Sequence, residues 1–127
     1  MKNHITSLGV SQKLKEAGFK KQGCFEWYFG FGDKKNKNKW RLFQNDIDGD
    51  KSKSVYAYQV NEILAELPKV IKIKDGYCNL EIMPFENHSS ITYRLAGSYT
   101  CHGTQESETL QDALALMWLF LKKENYV

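Results

Sequence analysis

The chain has no long hydrophobic run. Its longest uninterrupted apolar stretch is Ala113–Leu121, nine residues, against the roughly 20 that a membrane-spanning helix needs. That run reads as a buried helix, and no membrane contact is expected. The first residues, Met1-Lys2-Asn3-His4-Ile5, carry no apolar signal region. Cysteine is scarce and odd in number, with Cys24, Cys78 and Cys101 only. Such a set does not make a disulfide framework and reads as reduced thiols in a cytosol. Asn87-His88-Ser89 matches the glycosylation pattern, a chance match where no secretory signal precedes it. No Pro-, Ser- or Gly-rich tract and no internal repeat marks a linker, so the 127 residues are expected to form one domain. What is present is ordinary globular composition: 42% hydrophobic, 26% charged, with 7 Phe, 7 Tyr and 3 Trp to build a core. This excludes a disordered chain, a collagen-like repeat and a disulfide-dense scaffold.

The net charge of +3 hides an asymmetry. Residues 1–41 hold ten Lys or Arg against Glu16, Glu26 and Asp33, a net of +7, whereas residues 42–127 hold eight against twelve acids, a net of −4. Half of the basic charge in the first part lies in Lys34-Lys35-Asn36-Lys37-Asn38-Lys39-Trp40-Arg41.

Hydrophobic periodicity gives the order of elements. Val10, Leu14 and Ala17 recur at helical spacing, predicting a helix over 7–17 with Thr6 or Ser7 as its cap. Gly18 suits the left-handed residue after it, and Phe19 the fold back onto the last turn. Strand alternation places Phe25, Trp27, Phe29 and Phe31 on one face, and alternation resumes from Lys39 to Gln44, predicting a hairpin with a basic tip. After a polar loop over 45–53, Ser54–Ala57 is a candidate short strand. Val60, Ile63, Leu64 and Leu67 mark a second helix that Pro68 ends near Glu66. Ile71 and Ile73, a turn at Asp75-Gly76, then Cys78, Leu80 and Ile82 read as two strands, the second closing at Pro84. Glu86–Ser90 reads as a turn. A strand from Ile91 through Tyr93 and Leu95 is expected to continue through Tyr99 and Cys101, with Gly97 as a bulge. Thr109, with Asp112 three residues on, caps a final helix whose Leu110, Ala113, Leu114, Met117, Trp118 and Leu121 cover most of its circumference. Such a helix must be enclosed by a sheet, by a partner subunit in a homo-oligomer, or by both. The expected fold is α+β, an antiparallel sheet of about five strands with helices layered on it, in the order α-β-β-(β)-α-β-β-β-α.

Reactive constellations are sparse. Cys101 and His102 adjoin, but strand neighbours point to opposite faces, so neither metal ligation nor thiol catalysis is expected of the pair. Cys24 and Cys78 read as small core hydrophobes. Asp46, Asp48, Gly49 and Asp50 imitate a calcium loop, yet the frame puts Gln44 first and Val55 twelfth, where carboxylates belong. There is no Gly-x-Ser-x-Gly elbow, phosphate loop or dinucleotide fingerprint. No catalytic residue, metal or cofactor is therefore expected. The strongest functional feature is the basic hairpin. Lys34, Lys35, Lys37, Lys39 and Arg41 have the charge to contact phosphates while Trp40 stacks on a base. The competing reading is a solvated tip whose lysines protect a sheet edge, with Trp40 buried. Six tyrosines, Tyr28, Tyr56, Tyr58, Tyr77, Tyr93 and Tyr99, either cover the sheet or form an exposed protein-binding patch.

Three strings carry a likeness: Ala17-Gly18-Phe19 leading to Phe25-Glu26-Trp27, Val60-Asn61-Glu62-Ile63-Leu64-Ala65-Glu66-Leu67-Pro68, and Thr109-Leu110-Gln111-Asp112-Ala113-Leu114 through Met117-Trp118-Leu119. In this order they resemble small uncharacterised proteins encoded by bacteriophages, prophages and mobile elements of gut-type bacteria. The resemblance implies an accessory protein in the cytoplasm of a bacterial host, and attaches no catalytic residues. The expected function is binding of a host or phage macromolecule, a protein partner first. The alternatives are a small-molecule or nucleotide-binding protein, or small enzyme, whose site assembles only in the fold, and weak nucleic-acid binding through residues 34–41.

Overall fold

The computed structural model describes residues 4–30, 39–44 and 54–127. The fold is mixed α+β, and the chain divides after Gln59 into two compact units.

In the N-terminal unit, α1 (Leu8–Glu16) is followed by β1 (Phe25–Phe29), β2 (Trp40–Gln44) and β3 (Ser54–Ala57), an antiparallel sheet in the order β2-β1-β3. Ser7 caps α1 by accepting from the Val10 N–H at 3.4 Å. At the other end Gly18 takes φ +88°, Gly18 N–H bonds Lys15 O and Phe19 N–H bonds Leu14 O, a Schellman closure. This bends Phe19 back into the core, where it is 7% exposed. On the expected face of β1 Phe25 and Trp27 are buried and Phe29 is half-buried, with Phe31 outside the described residues, while Glu26 and Tyr28 on the other face are buried as well. Phe25 and Trp27 pack with Ile5, Val55 and Ala57 in one cluster, joined by Leu8, Trp40 and Leu42. The β1–β2 pairing, from Phe25↔Gln44 to Phe29↔Trp40, is that of the expected hairpin, whose tip lies outside the described residues.

The C-terminal unit comprises α2 (Val60–Leu64), β4 (Val70–Ile73), β5 (Gly76–Pro84), β6 (Ser89–Leu95), β7 (Cys101–Ser107) and α3 (Leu110–Lys123). Its strands form a second antiparallel sheet in sequential order. The fold class is thus as expected and the order of elements close to it, but the described residues hold seven strands in two sheets, with four rather than three between α2 and α3, where one sheet of about five was expected. The extra strand comes from the segment after Ile91. Gly97, expected as a bulge, lies in the turn between β6 and β7, where Leu95 N–H bonds Thr100 O and Ser98 N–H bonds Leu95 O. The irregularity belongs to Gly103 instead. Register moves from Ile91↔Gln105 to Tyr93↔His102, and Gly103 takes φ +69°. A second departure is the apolar stripe of α2. Ile63 is buried, but Leu64 is 37% exposed because the helix stops there and unwinds before Pro68. On β5 Cys78 is buried as expected, whereas Ile82 stands at the outer end of the strand, 36% exposed.

Helix α3 packs against β6, β7 and α2 and buries Ala113, Leu114, Met117, Trp118 and Leu121. Thr109 caps it by accepting from the Asp112 N–H at 3.3 Å. Asn125, at φ 63°, closes its far end, with Tyr126 N–H returning to Leu121 O. No described helix is long and apolar enough to cross a membrane.

Two consequences are measurable. A Cβ built on Gly103 would stand 2.3 Å from Cε1 of Phe120, so backbone and ring must touch without a side chain between them. Gly103→Ala is expected to cost about 1–3 kcal/mol in denaturant unfolding, and Phe120→Leu in the same chain should restore part of it. Tyr93, fully buried, donates its hydroxyl to Pro68 O at 2.7 Å, and burial pushes its pKa up to about 12 from the usual 10. The unfolded chain therefore releases this proton first. The contribution is intact below pH 10 and is lost as the pH rises toward about 12. Across that range the stability of the wild type should fall by on the order of 2 kcal/mol more than that of Tyr93→Phe.

Candidate functional site

Between α1 and β3 the N-terminal unit leaves a cavity of about 350 Å³. Ser11 and Lys15 line it from α1, Phe19, Lys20 and Lys21 from the segment after the helix, and Ser54, Val55, Tyr56 and Tyr58 from β3 and its end. Hydrogen bonds between these segments hold the walls. Thr6, fully buried just before α1, donates its N–H to Tyr58 O at 2.9 Å and accepts from Tyr58 N–H on Oγ1 at 3.0 Å. The same hydroxyl lies 2.7 Å from Ser11 Oγ, and Thr6 O accepts from Trp27 Nε1 at 3.3 Å. Across the cavity Lys15 Nζ donates to Ser54 O at 2.8 Å. At its far end Tyr58 OH donates to Lys21 O at 2.6 Å.

Three aromatic rings stand in a row along the lining. Phe19 meets Tyr58 edge-on at 4.7 Å between centroids, and Tyr58 lies 6.4 Å from Tyr56. The two tyrosines share a side of the strand because they are two residues apart. The Schellman turn puts Phe19 among them and sets Lys20 and Lys21 just beyond it. The lining residues therefore bring together three aromatic rings, two serines and three lysines. Such a surface attracts an anion by charge and grips an apolar or flat body by contact.

The C-terminal unit has a shallower depression of about 380 Å³ on the sheet, lined by Asn79, Glu81, Arg94 and the 95–99 turn. Arg94 Nε donates to Glu81 at 2.6 Å, and this bond with its charge raises the arginine pKa. Tyr99 stands on the rim, 92% exposed.

The residues singled out in the sequence fall as follows. Lys34, Lys35 and Lys37 lie outside the described residues, as do Asp46, Asp48 and Asp50. Lys39 and Arg41 are exposed. Trp40 is half-buried against the core cluster with its ring 5.3 Å from Phe29, while the Arg41 guanidinium sits 5.4 Å from the Phe43 ring. As neighbours on β2, Trp40 and Arg41 point to opposite faces. Cys24, expected in the core, is exposed. It precedes β1 and is out of phase with Phe25 and Trp27, which take the core face. Cys78 is buried, and burial, helped by the charge of Asp75, pushes its thiol pKa up. Cys101 is exposed, whereas His102 packs edge-on against Phe120 and Tyr126. Among the described residues no three His, Cys, Asp or Glu side chains gather as a metal site would require. The tyrosines divide: Tyr28, Tyr58 and Tyr93 are buried, Tyr77 and Tyr99 exposed.

Sequence reasoning did not single out Lys15, Phe19, Lys20, Lys21, Tyr56 or Tyr58 as a group. The signal available was the +7 of residues 1–41, of which Lys15, Lys20 and Lys21 carry three charges outside the hairpin. Nothing local, however, links them to tyrosines some 40 residues on. Comparison with protein-family models, with curated proteins and with solved structures finds no match to the chain.

If Thr6 holds α1 to β3, removing its hydroxyl must weaken the whole N-terminal unit. Thr6→Val keeps the shape and leaves the Tyr58 N–H buried without its acceptor, at an expected cost of about 1–3 kcal/mol. Thr6→Ser should cost less than Thr6→Val, as read by denaturant unfolding.

Proposed function

We propose that the protein acts by binding a small anionic ligand in the cavity between α1 and β3. The observation that carries this reading is the lining itself: Lys15, Lys20 and Lys21 beside Phe19, Tyr56 and Tyr58. Its volume, about 350 Å³, is within the range of small-molecule sites. Thr6 and Tyr58 pin the backbone of the walls, so the ordering entropy that opposes binding is that of the lysine side chains.

A second reading, docking of a macromolecule, is favoured by Tyr77 and Tyr99. They stand 58% and 92% exposed, Tyr99 on the rim of the depression that holds the Arg94–Glu81 pair, and Tyr and Arg are residues enriched where interfaces are anchored. Either kind of binding suits the accessory role in a bacterial cell that the resemblance implies.

The test is a titration of ¹⁵N-labelled protein with inorganic phosphate, citrate, hexanoate, benzoate and a nucleoside 5′-monophosphate, followed by amide shifts. At least one of these anions should shift residues 11–21 and 54–58 together. Lys20→Glu with Lys21→Glu should weaken that response by tenfold or more. If none of them moves that set of amides at millimolar concentration, the cavity is not an anion site.

A further inference from the structure

We infer that the depression on the four-stranded sheet of the C-terminal unit binds a neutral sugar, with one pyranose ring against Tyr99 and its hydroxyls on Arg94 and Glu81. The site is separate from the anion cavity, and the inference does not rest on that reading.

Strand register builds the polar floor. Asn79 and Arg94 are cross-strand partners and Glu81 follows Asn79 by two residues, so all three stand on one face of the sheet. Cys78 and Tyr93, their neighbours in sequence, take the opposite face and are fully buried. Arg94 Nε donates to Glu81 Oε2 at 2.6 Å. This bond uses one of the five N–H groups of the arginine and one carboxylate oxygen. Among the described residues, the other guanidinium N–H groups, Glu81 Oε1 and the Asn79 side-chain amide have no hydrogen-bond partner. The floor thus sets donors beside acceptors, and the charges of Arg94 and Glu81 offset each other. A simple anion would satisfy only the donors. A hydroxyl donates and accepts at once, and two neighbouring ring hydroxyls suit a guanidinium fork or a carboxylate.

The wall is the turn between β6 and β7. Leu95 N–H bonds Thr100 O, Ser98 N–H bonds Leu95 O, and Ala96 N–H ties the turn to Tyr77 O of β5. Ser98 Oγ accepts from Thr100 N–H at 3.1 Å. These bonds hold the backbone on both sides of Tyr99, whose ring is nevertheless 92% exposed. The Arg94 pKa is raised chiefly by the bond to Glu81 and its charge, and to a smaller extent by Tyr99, so phenol and guanidinium lie within electrostatic reach. A pyranose has an apolar face of C–H groups and an edge of hydroxyls. It matches an aromatic ring, rigid and costing little entropy to order, beside a polar floor. The volume of about 380 Å³ is within the range of small-molecule sites.

The experiment titrates the ¹⁵N-labelled full chain with glucose, galactose, mannose and N-acetylglucosamine at tens of millimolar, each as the free sugar and as its methyl glycoside. At least one should shift the amides of residues 79–81 and 94–99 together. Equal binding of the glycoside marks the unit of a glycan chain, whereas its failure marks a free sugar as the ligand. Tyr99→Ala should weaken binding at least fivefold, Tyr99→Phe should keep it, and Glu81→Gln should weaken it at least threefold. Tyr99 is exposed, so its variants should keep the wild-type spectrum before titration. The inference is overturned if none of these sugars shifts those amides, if Tyr99→Ala binds as the wild type does, or if inorganic phosphate at equal concentration shifts them more. None of these outcomes bears on residues 11–21 and 54–58, where the anion reading is tested.

Discussion

Thr6 and Tyr58 are bonded to each other in both directions, backbone to backbone and backbone to side chain, across 52 positions of sequence. Thr6 also reaches Ser11 and Trp27, so one buried residue joins the start of α1, the end of β3 and the central strand β1. Each of these groups would be left unsatisfied in an apolar interior if the node opened, and the penalty for a buried unpaired polar group exceeds the net worth of the bond it makes. The N-terminal unit is therefore specified at one point more sharply than its hydrophobic cluster alone would specify it. The cavity follows from the same node, because it is the space left between a helix and a strand tied at Tyr58 by Thr6 and Lys21 and at Ser54 by Lys15.

The placement of charge depends on this scaffold. A helix closed by a left-handed glycine turns its chain sharply, and here the turn delivers Phe19 inward and Lys20 and Lys21 onto the rim in three consecutive residues. The contrast with Arg94 in the C-terminal unit is chemical. That cation already has Glu81 at 2.6 Å, which leaves less of its charge for a ligand. Around the cavity three lysines share a lining with aromatic rings and serines.

The C-terminal unit is held by a different device, contact without intervening atoms. Gly103 touches the Phe120 ring so closely that a methyl group has no room. The bulge at this position also brings His102 against Phe120 and Tyr126. The burial of the α3 apolar face then needs no partner subunit to explain Met117 or Leu114, both fully buried against elements of their own unit.

The sequence was most legible where structure is local. The Gly18 turn, the Thr109 cap and the alternation of Phe25 and Trp27 each depend on residues within a few positions, and each is present. It was least legible where two local signals were equal. Gly97 and Gly103 are both left-handed, but Ala96 and Ser98–Thr100 around the first make a turn, while the second sits opposite a continuous strand. Division into two sheets was illegible because nothing local shows that β3 pairs back on β1 instead of extending the later strands. The cavity was illegible for the same reason, since Lys15 meets Ser54 only after α1 and β3 have come together. The most direct measurement of the central claim, an anion held in the cavity of the N-terminal unit, is a set of intermolecular nuclear Overhauser effects between the protein and the aromatic anions of the titration, benzoate and a nucleoside 5′-monophosphate. The account predicts contacts from ring protons of at least one of them to Phe19, Tyr56 or Tyr58, the aromatic residues of the lining. Contacts confined to Tyr77 and Tyr99, or no contacts at all at millimolar ligand, would contradict it.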